Sequence, residues 1–322
     1  MSDDRAEQVS GRSLERTRQT GASRKTVLIA LAANATIAVF KGIAGALTGS
    51  AGMLAETAHS LADTGNQVFL LVSISLSGRE PHEDRPFGHG QERFLWTFVA
   101  AVGMFLAGAV FAIGFGIYEL LKGAGEQSEF GIAYAVLAIS FAAEGTSWLR
   151  AFRQIRREAR EADRPFLSYL RESRDPNVKM VLFEDTAALI GVVLAALGIA
   201  LNQITGALVF DPAASVLIGL LLVSVGLWMG RDAKHLLVGS AAQPREREAI
   251  ERTIEGFDEV DAVEELLTMV LGPNALLVAA RVDLRDDVPA GRVEQVATAI
   301  DRRLRETVPD VTEVFLDPTA GR

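Results

Sequence analysis

Three stretches of this chain carry no charge over a length that only a membrane asks for. Phe94–Tyr118 and Thr186–Phe210 each run 25 residues without an Asp, Glu, Lys or Arg, and Pro212–Gly230 adds 19 more. A helix needs about 20 apolar residues to cross ~30 Å of hydrocarbon, and buried helices of soluble proteins rarely stay charge-free that long. Yet 23% of the chain is charged, while the mean hydropathy is +0.23. The charges must therefore be segregated. From Ser240 to the end there are 10 basic and 18 acidic residues, so nearly all of the net charge of −9 sits in that tail. An acidic soluble segment attached to a near-neutral membrane body follows, and nucleic acid is excluded as a natural partner. With no cysteine, disulfides and thiolate metal sites are excluded too.

Apolar length and polar interruptions predict six spanning helices: about 26–48, 50–77, 92–121, 130–148, 180–204 and 211–230. The loops test this count. Segments expected on one side, Arg5–Lys25, Arg79–Arg93 and Arg150–Lys179, hold 6, 3 and 9 Lys/Arg residues, whereas the opposite loops hold only Lys122. That bias places both termini in the cytoplasm of a cell (inner) membrane protein. The domain layout expected is a polar tail over 1–25, a six-helix membrane domain over 26–239 and a cytoplasmic domain over 240–322. The first 25 residues have no apolar core of a signal peptide.

Past Gly239 the periodicity changes. Arg245–Glu255 and Arg292–Thr307 read as amphipathic helices. Ala262–Leu271 and Ala275–Leu284 read as strands around a Gly272-Pro273-Asn274 turn, and Val311–Leu316 as a last strand. Helix–strand–strand–helix–strand predicts a small ferredoxin-like α+β domain.

Ionisable groups inside a span cost about 2.5–3.5 kcal/mol each on insertion scales and face the bundle interior. Glu56, His59 and Asp63 fall on one stripe of the second helix, at i, i+3 and i+7. His59 and Asp63, one turn apart, can hold one cation between an imidazole and a carboxylate, and Asp185 on the fifth helix offers a third ligand. Such a mixed N/O set suits Zn²⁺ and also accepts Mn²⁺, Fe²⁺ or Co²⁺. The alternative reading of the same residues is a buried pair that serves only to join helices. Lys41 and Glu56 read as an interhelical ion pair, and Glu144 as either packing glue or a proton-path group.

The order of these motifs carries a resemblance. Asn34, Lys41, Thr48-Gly49-Ser50, Leu54 to Asp63, Arg85-Pro86-Phe87-Gly88-His89-Gly90, Phe183-Glu184-Asp185-Thr186 and Asp211-Pro212 together resemble the cation diffusion facilitator (zinc transporter) family over about 24–318. The nearest subgroup is that of the animal mitochondrial zinc transporter nine. The resemblance implies a homodimer with a metal site between the second and fifth helices. Carried over, the ligands are His59, Asp63 and Asp185. A fourth would fall on Val181, which cannot coordinate metal, so Glu184, Glu56 or water completes the shell, with Glu184 ranked first. The family's loop site maps onto His82 and His89, with Arg85 in place of the intermediate His. The soluble domain lacks His beyond His235, and is expected to serve dimerisation.

These readings converge on a secondary transporter, not an enzyme. It would export a divalent cation, zinc first and Mn²⁺, Fe²⁺ or Co²⁺ as alternatives, by antiport with protons and without a resident cofactor. His59, of unperturbed pKa near ~6.5, must shed its proton before binding metal, so metal and protons compete for one place. An intramembrane metalloenzyme is the alternative from another class, but the chain has no His-Glu-x-x-His run and no Gly-x-Ser-x-Gly elbow.

Overall fold

A computed structural model describes residues 28–319 apart from 30, 80, 124–128 and 173–175; the side chains of Met104 and of 171–180 are not described. The polar tail expected over 1–25 lies outside the described residues. The chain divides into two compact units, one built from residues up to 78 and from 95–233, the other from 79–94 and 234–322.

The first unit is helical. It holds α1 (Leu31–Thr48), α2 (Ala51–Ser77), the body of α3 (Glu92–Lys122), α4 (Phe130–Glu161), α5 (Phe166–Glu172), α6 (Pro176–Thr205) and most of α7 (Phe210–Gly239). Among the described residues, α1, α3, α4, α6 and α7 are long and apolar enough to cross a membrane. The remaining expected span, α2, has the length but interrupts its apolar run with Glu56, His59 and Asp63. Its polar groups face inward and are buried, while Val110, Phe111, Ile139, Phe141 and Leu197 on neighbouring helices stand exposed. Apolar side chains outside and polar ones inside are what a lipid-facing bundle requires.

Two of the expected helices are longer than hydropathy indicates. The fourth was expected to end at Trp148, with a basic connecting segment beyond it, but α4 runs on to Glu161. Ile155 and Ala159 give this extension a buried face, and Trp148 stacks on Phe152 at 5.1 Å, which in turn meets Phe166 of α5. Likewise α7 passes Gly230 and ends at Gly239. Hydropathy marks where lipid ends; a helix continues wherever one face still finds a partner.

The α1–α2 turn is fastened by a residue 160 positions further along the chain. Asp211, fully buried at the start of α7, accepts hydrogen bonds from Ser50 Oγ (2.7 Å) and from the backbone N–H groups of Ala51 (2.6 Å) and Gly52 (3.3 Å). Ser50 itself caps α2 by accepting from Met53 N at 3.1 Å. These are the N–H groups that a helix start leaves unpaired, and a carboxylate there also meets the positive end of the helix dipole. Asp211→Ala leaves them without partners in an apolar setting. It is expected to lower stability by about 3 kcal/mol, read as a lower unfolding midpoint in detergent; an unchanged midpoint would show that the clamp carries no weight.

The second unit contains α8 (Pro244–Glu255), β1 (Val260–Gly272), β2 (Ala275–Leu284), α9 (Ala290–Thr307) and β3 (Val311–Thr319). The sheet order is β1-β2-β3, with β1 and β2 antiparallel and β2 and β3 parallel across α9. Ile250 and Ile254 of α8 and Val296, Ile300 and Leu304 of α9 bury against Leu276, Val278 and Val282 of β2. This is the helix–strand–strand–helix–strand order expected from the sequence, so the chain is a helical membrane protein with a C-terminal α+β domain. The loop 79–94 belongs to this unit: Phe94 joins its core, and Gly90 lies so close to Leu271 O and Gly272 that a Cβ would collide with them.

Candidate metal centre

The buried polar stripe of α2 is longer than the sequence reading drew it. Glu56, His59 and Asp63 are followed by Asn66, all at most 4% exposed and spaced 3, 4 and 3 residues apart on one face. His59 Nδ1 lies 3.6 Å from Asp63 Oδ1, an ion-pair distance beyond hydrogen-bond range. Both ring nitrogens of His59 and Asp63 Oδ1 are buried without a hydrogen-bond partner.

Helix α6 packs along α2 and α4 and delivers the opposing carboxylates. Glu184, 4% exposed, accepts a hydrogen bond from Asn66 Nδ2 at 2.8 Å and is close enough to Asp63 for the two charges to interact. Two buried carboxylates this close repel unless a proton or a cation lies between them. Asp185, a step of about 100° around the helix, is oriented differently: it lies near Ser147 of α4, and its Oδ2 is buried without a hydrogen-bond partner. The structure thus joins His59, Asp63, Glu184 and Asn66 in a continuous chain of contacts, with Asp185 beside it. Among the described residues, no three His or acidic side chains already stand converged on one point. Holding an ion therefore requires small rotations or a donor of another kind.

What the buried orphans share is chemistry. Asp63 Oδ1, Asn66 Oδ1, Glu184 Oε1 and Asp185 Oδ2 are all oxygens with free lone pairs, and His59 adds nitrogen. Buried polar atoms are almost always paired, and each exception calls for a cause. A polar stripe of unpaired acceptors that includes an imidazole is what a cation satisfies once side chains rotate to meet it. Val181, at the position where the family resemblance sought a fourth ligand, offers no donor; Asn66 was missed, although it continues the heptad-like spacing of the stripe.

One turn along α2, a second polar group is joined through a lysine, with Glu56 Oε1 left unpaired. Lys41 of α1, completely buried, donates to Glu56 (2.9 Å), Ser60 Oγ (2.9 Å) and Glu144 of α4 (3.2 Å). Glu56 Oε1 presses on Gly191 of α6, where a Cβ would collide with it. Three helices are thereby tied to a fourth at one point, so the Lys41–Glu56 pairing read from the sequence is present and Glu144 joins it. Removing one partner of a buried pair costs about 3–5 kcal/mol because the other charge is stranded. Lys41→Met is expected to show that loss in detergent stability, and Lys41→Met with Glu56→Gln to recover part of it. Equal stability of the single variant and the wild type would contradict this tie.

The loop histidines lie in the other unit. His82 and His89 face each other with ring centroids 5.1 Å apart. His89 is buried and its Nδ1 unpaired, while the half-exposed His82 uses Nδ1 to accept from Asp84 N at 3.3 Å. Arg85 is committed elsewhere, to Glu92 at 2.5 Å.

Comparison with known proteins agrees with this architecture. Residues 27–238 match the family model described as the cation efflux transmembrane domain. The human mitochondrial proton-coupled zinc antiporter SLC30A9 is 34% identical over 259 residues, covering 80% of this chain and 45% of that protein. Metal tolerance protein C4 of Arabidopsis thaliana is 29% identical over 72% of this chain and 50% of its own length. This chain therefore spans about half the length of these relatives. The manganese efflux system protein MneP of Bacillus subtilis is 24% identical, over 91% of this chain and 95% of its own. With a domain match over well more than half of its length, carried by a helical membrane unit, the chain belongs to the cation efflux family of membrane transporters, and is not an enzyme.

Proposed function

We propose that the chain exports a divalent metal cation, zinc in the first place, in exchange for protons, as a homodimer in the cell membrane with both termini cytoplasmic. The observation that carries this reading is the buried group of unpaired acceptors made by His59, Asp63 and Glu184, with Asp185 alongside. A divalent ion bound there is offset by two carboxylates, and the imidazole supplies the nitrogen that zinc favours. Metal binding needs His59 unprotonated and nothing but the ion between Asp63 and Glu184. Protons entering from the outer side compete for the same atoms and release the cargo. Rocking of one group of helices against another would alternate access. The C-terminal domain serves dimerisation, and its acidity draws cations towards the membrane. His82, half-exposed, and the buried His89 form a second pair of nitrogen donors on the loop, suited to weaker capture.

Zinc stands first because SLC30A9 is named for zinc; the oxygen-rich donor set and the relation to a manganese efflux protein favour Mn²⁺ as the second reading. The test is flux. Purified protein in liposomes should take up Zn²⁺ or Mn²⁺ faster when a proton gradient opposes the metal's direction. Uptake that ignores the gradient would overturn antiport, and metal-dependent hydrolysis without uptake would favour an intramembrane enzyme.

A further inference from the structure

We propose that Asn66 is a cargo ligand, and that its side-chain carbonyl determines how well the site carries Mn²⁺ relative to Zn²⁺. The inference rests on the transport reading above and deepens it. Asn66 is 2% exposed, in the middle of a membrane helix, where an amide has no water to bond with. In the structure Nδ2 donates to Glu184 Oε2 at 2.8 Å, as an ionised carboxylate requires, and Oδ1 is left over. That Oδ1 is buried and has no partner.

Position adds to this. Asn66 lies three residues after Asp63 and seven after His59, on the same stripe. It touches Glu184, which in turn reaches Asp63. The amide thus does two things at once: its N–H orients the Glu184 carboxylate, and its carbonyl adds an oxygen beside those of Asp63 and Glu184. Val181 leaves the site short of a donor, and a carbonyl supplies one without a third negative charge.

The nature of that donor bears on selectivity. Carbonyl and carboxylate oxygens are hard ligands that suit Mn²⁺, whereas an imidazole nitrogen raises affinity for Zn²⁺ more. A site of one nitrogen and three oxygens is therefore permissive to Mn²⁺. Removing the carbonyl should cost Mn²⁺ more than Zn²⁺; replacing it by a second imidazole should reverse the preference.

The experiment compares Zn²⁺ and Mn²⁺ uptake by the full chain in liposomes, for wild type, Asn66→Ala, Asn66→His and His59→Ala. Asn66→Ala is expected to lower Mn²⁺ uptake efficiency about tenfold or more, with a loss several times smaller for Zn²⁺, and Asn66→His to raise the Zn²⁺ to Mn²⁺ ratio above wild type. A residue that merely positioned Glu184 would lower both metals together. An unchanged ratio in both Asn66 variants therefore overturns the inference. If Asn66→Ala does not reach the membrane folded, the ratio in Asn66→His decides alone. His59→Ala separates the two claims: if it abolishes uptake while the Asn66 variants keep the wild-type ratio, the transport site stands and only the role of Asn66 fails.

Discussion

His59→Ala is expected to abolish metal uptake by the reconstituted protein, with a loss of more than about 100-fold, the upper end of what losing outer-shell support of a metal site costs. The expectation follows from the imidazole's position. His59 is 1% exposed, its nitrogens have no hydrogen-bond partner, and its nearest acidic neighbour is Asp63 at 3.6 Å. A histidine serving only to join helices would be bonded to a carbonyl or hydroxyl, and its removal would cost stability. Here there is little bonding to lose, so folding and membrane insertion should survive while transport does not. Asp63→Asn should behave alike, keeping shape and losing charge. Liposome uptake of Zn²⁺ and Mn²⁺, alongside the detergent unfolding midpoint, distinguishes the outcomes. Wild-type uptake with a lowered midpoint would make His59 a structural residue.

The second large effect separates two neighbours on α6. Glu184→Gln is expected to reduce uptake about 100-fold, and Asp185→Asn about tenfold or less. By the family resemblance, Asp185 ranks ahead of Glu184, since it matches the fifth-helix motif. The geometry favours the reverse order. Glu184 is held by Asn66 and lies close to Asp63, whereas Asp185 stands about 100° further around the helix with its Oδ2 unpaired. Gln at 184 keeps the contact with Asn66 but removes the charge needed to balance a divalent ion. Competition uptake assays on the two variants measured side by side would read the order directly, and a larger loss in Asp185→Asn would mean that α6 turns when metal binds.

Much of this architecture is legible in the sequence. The spans of α3, α6 and α7 were legible because charge is excluded from hydrocarbon, and the α8-β1-β2-α9-β3 order because amphipathic periodicity switches between 3.6 and 2. The stripe on α2 was legible because charged residues in a span must share a face. Three things were not. The extension of α4 to Glu161 reads as a basic connection, since Arg153, Arg157 and Arg160 mask the buried Ile155 and Ala159 between them. The grouping of loop 79–94 with the C-terminal unit depends on a close approach of Gly90 to Gly272 that no local pattern encodes. Asn66 escaped because an uncharged amide does not announce itself as costly in a membrane; only its unpaired carbonyl and its hold on Glu184 single it out.

The central claim is that a divalent cation sits among His59, Asp63 and Glu184 within the membrane. Anomalous scattering from crystals of the full chain grown with Zn²⁺ or Mn²⁺ tests it most directly. A single strong peak at coordination distance, about 2.0–2.2 Å from a His59 nitrogen and from the Asp63 and Glu184 oxygens, is the expected result. A peak confined to the His82–His89 loop, with none beside His59, would contradict the account.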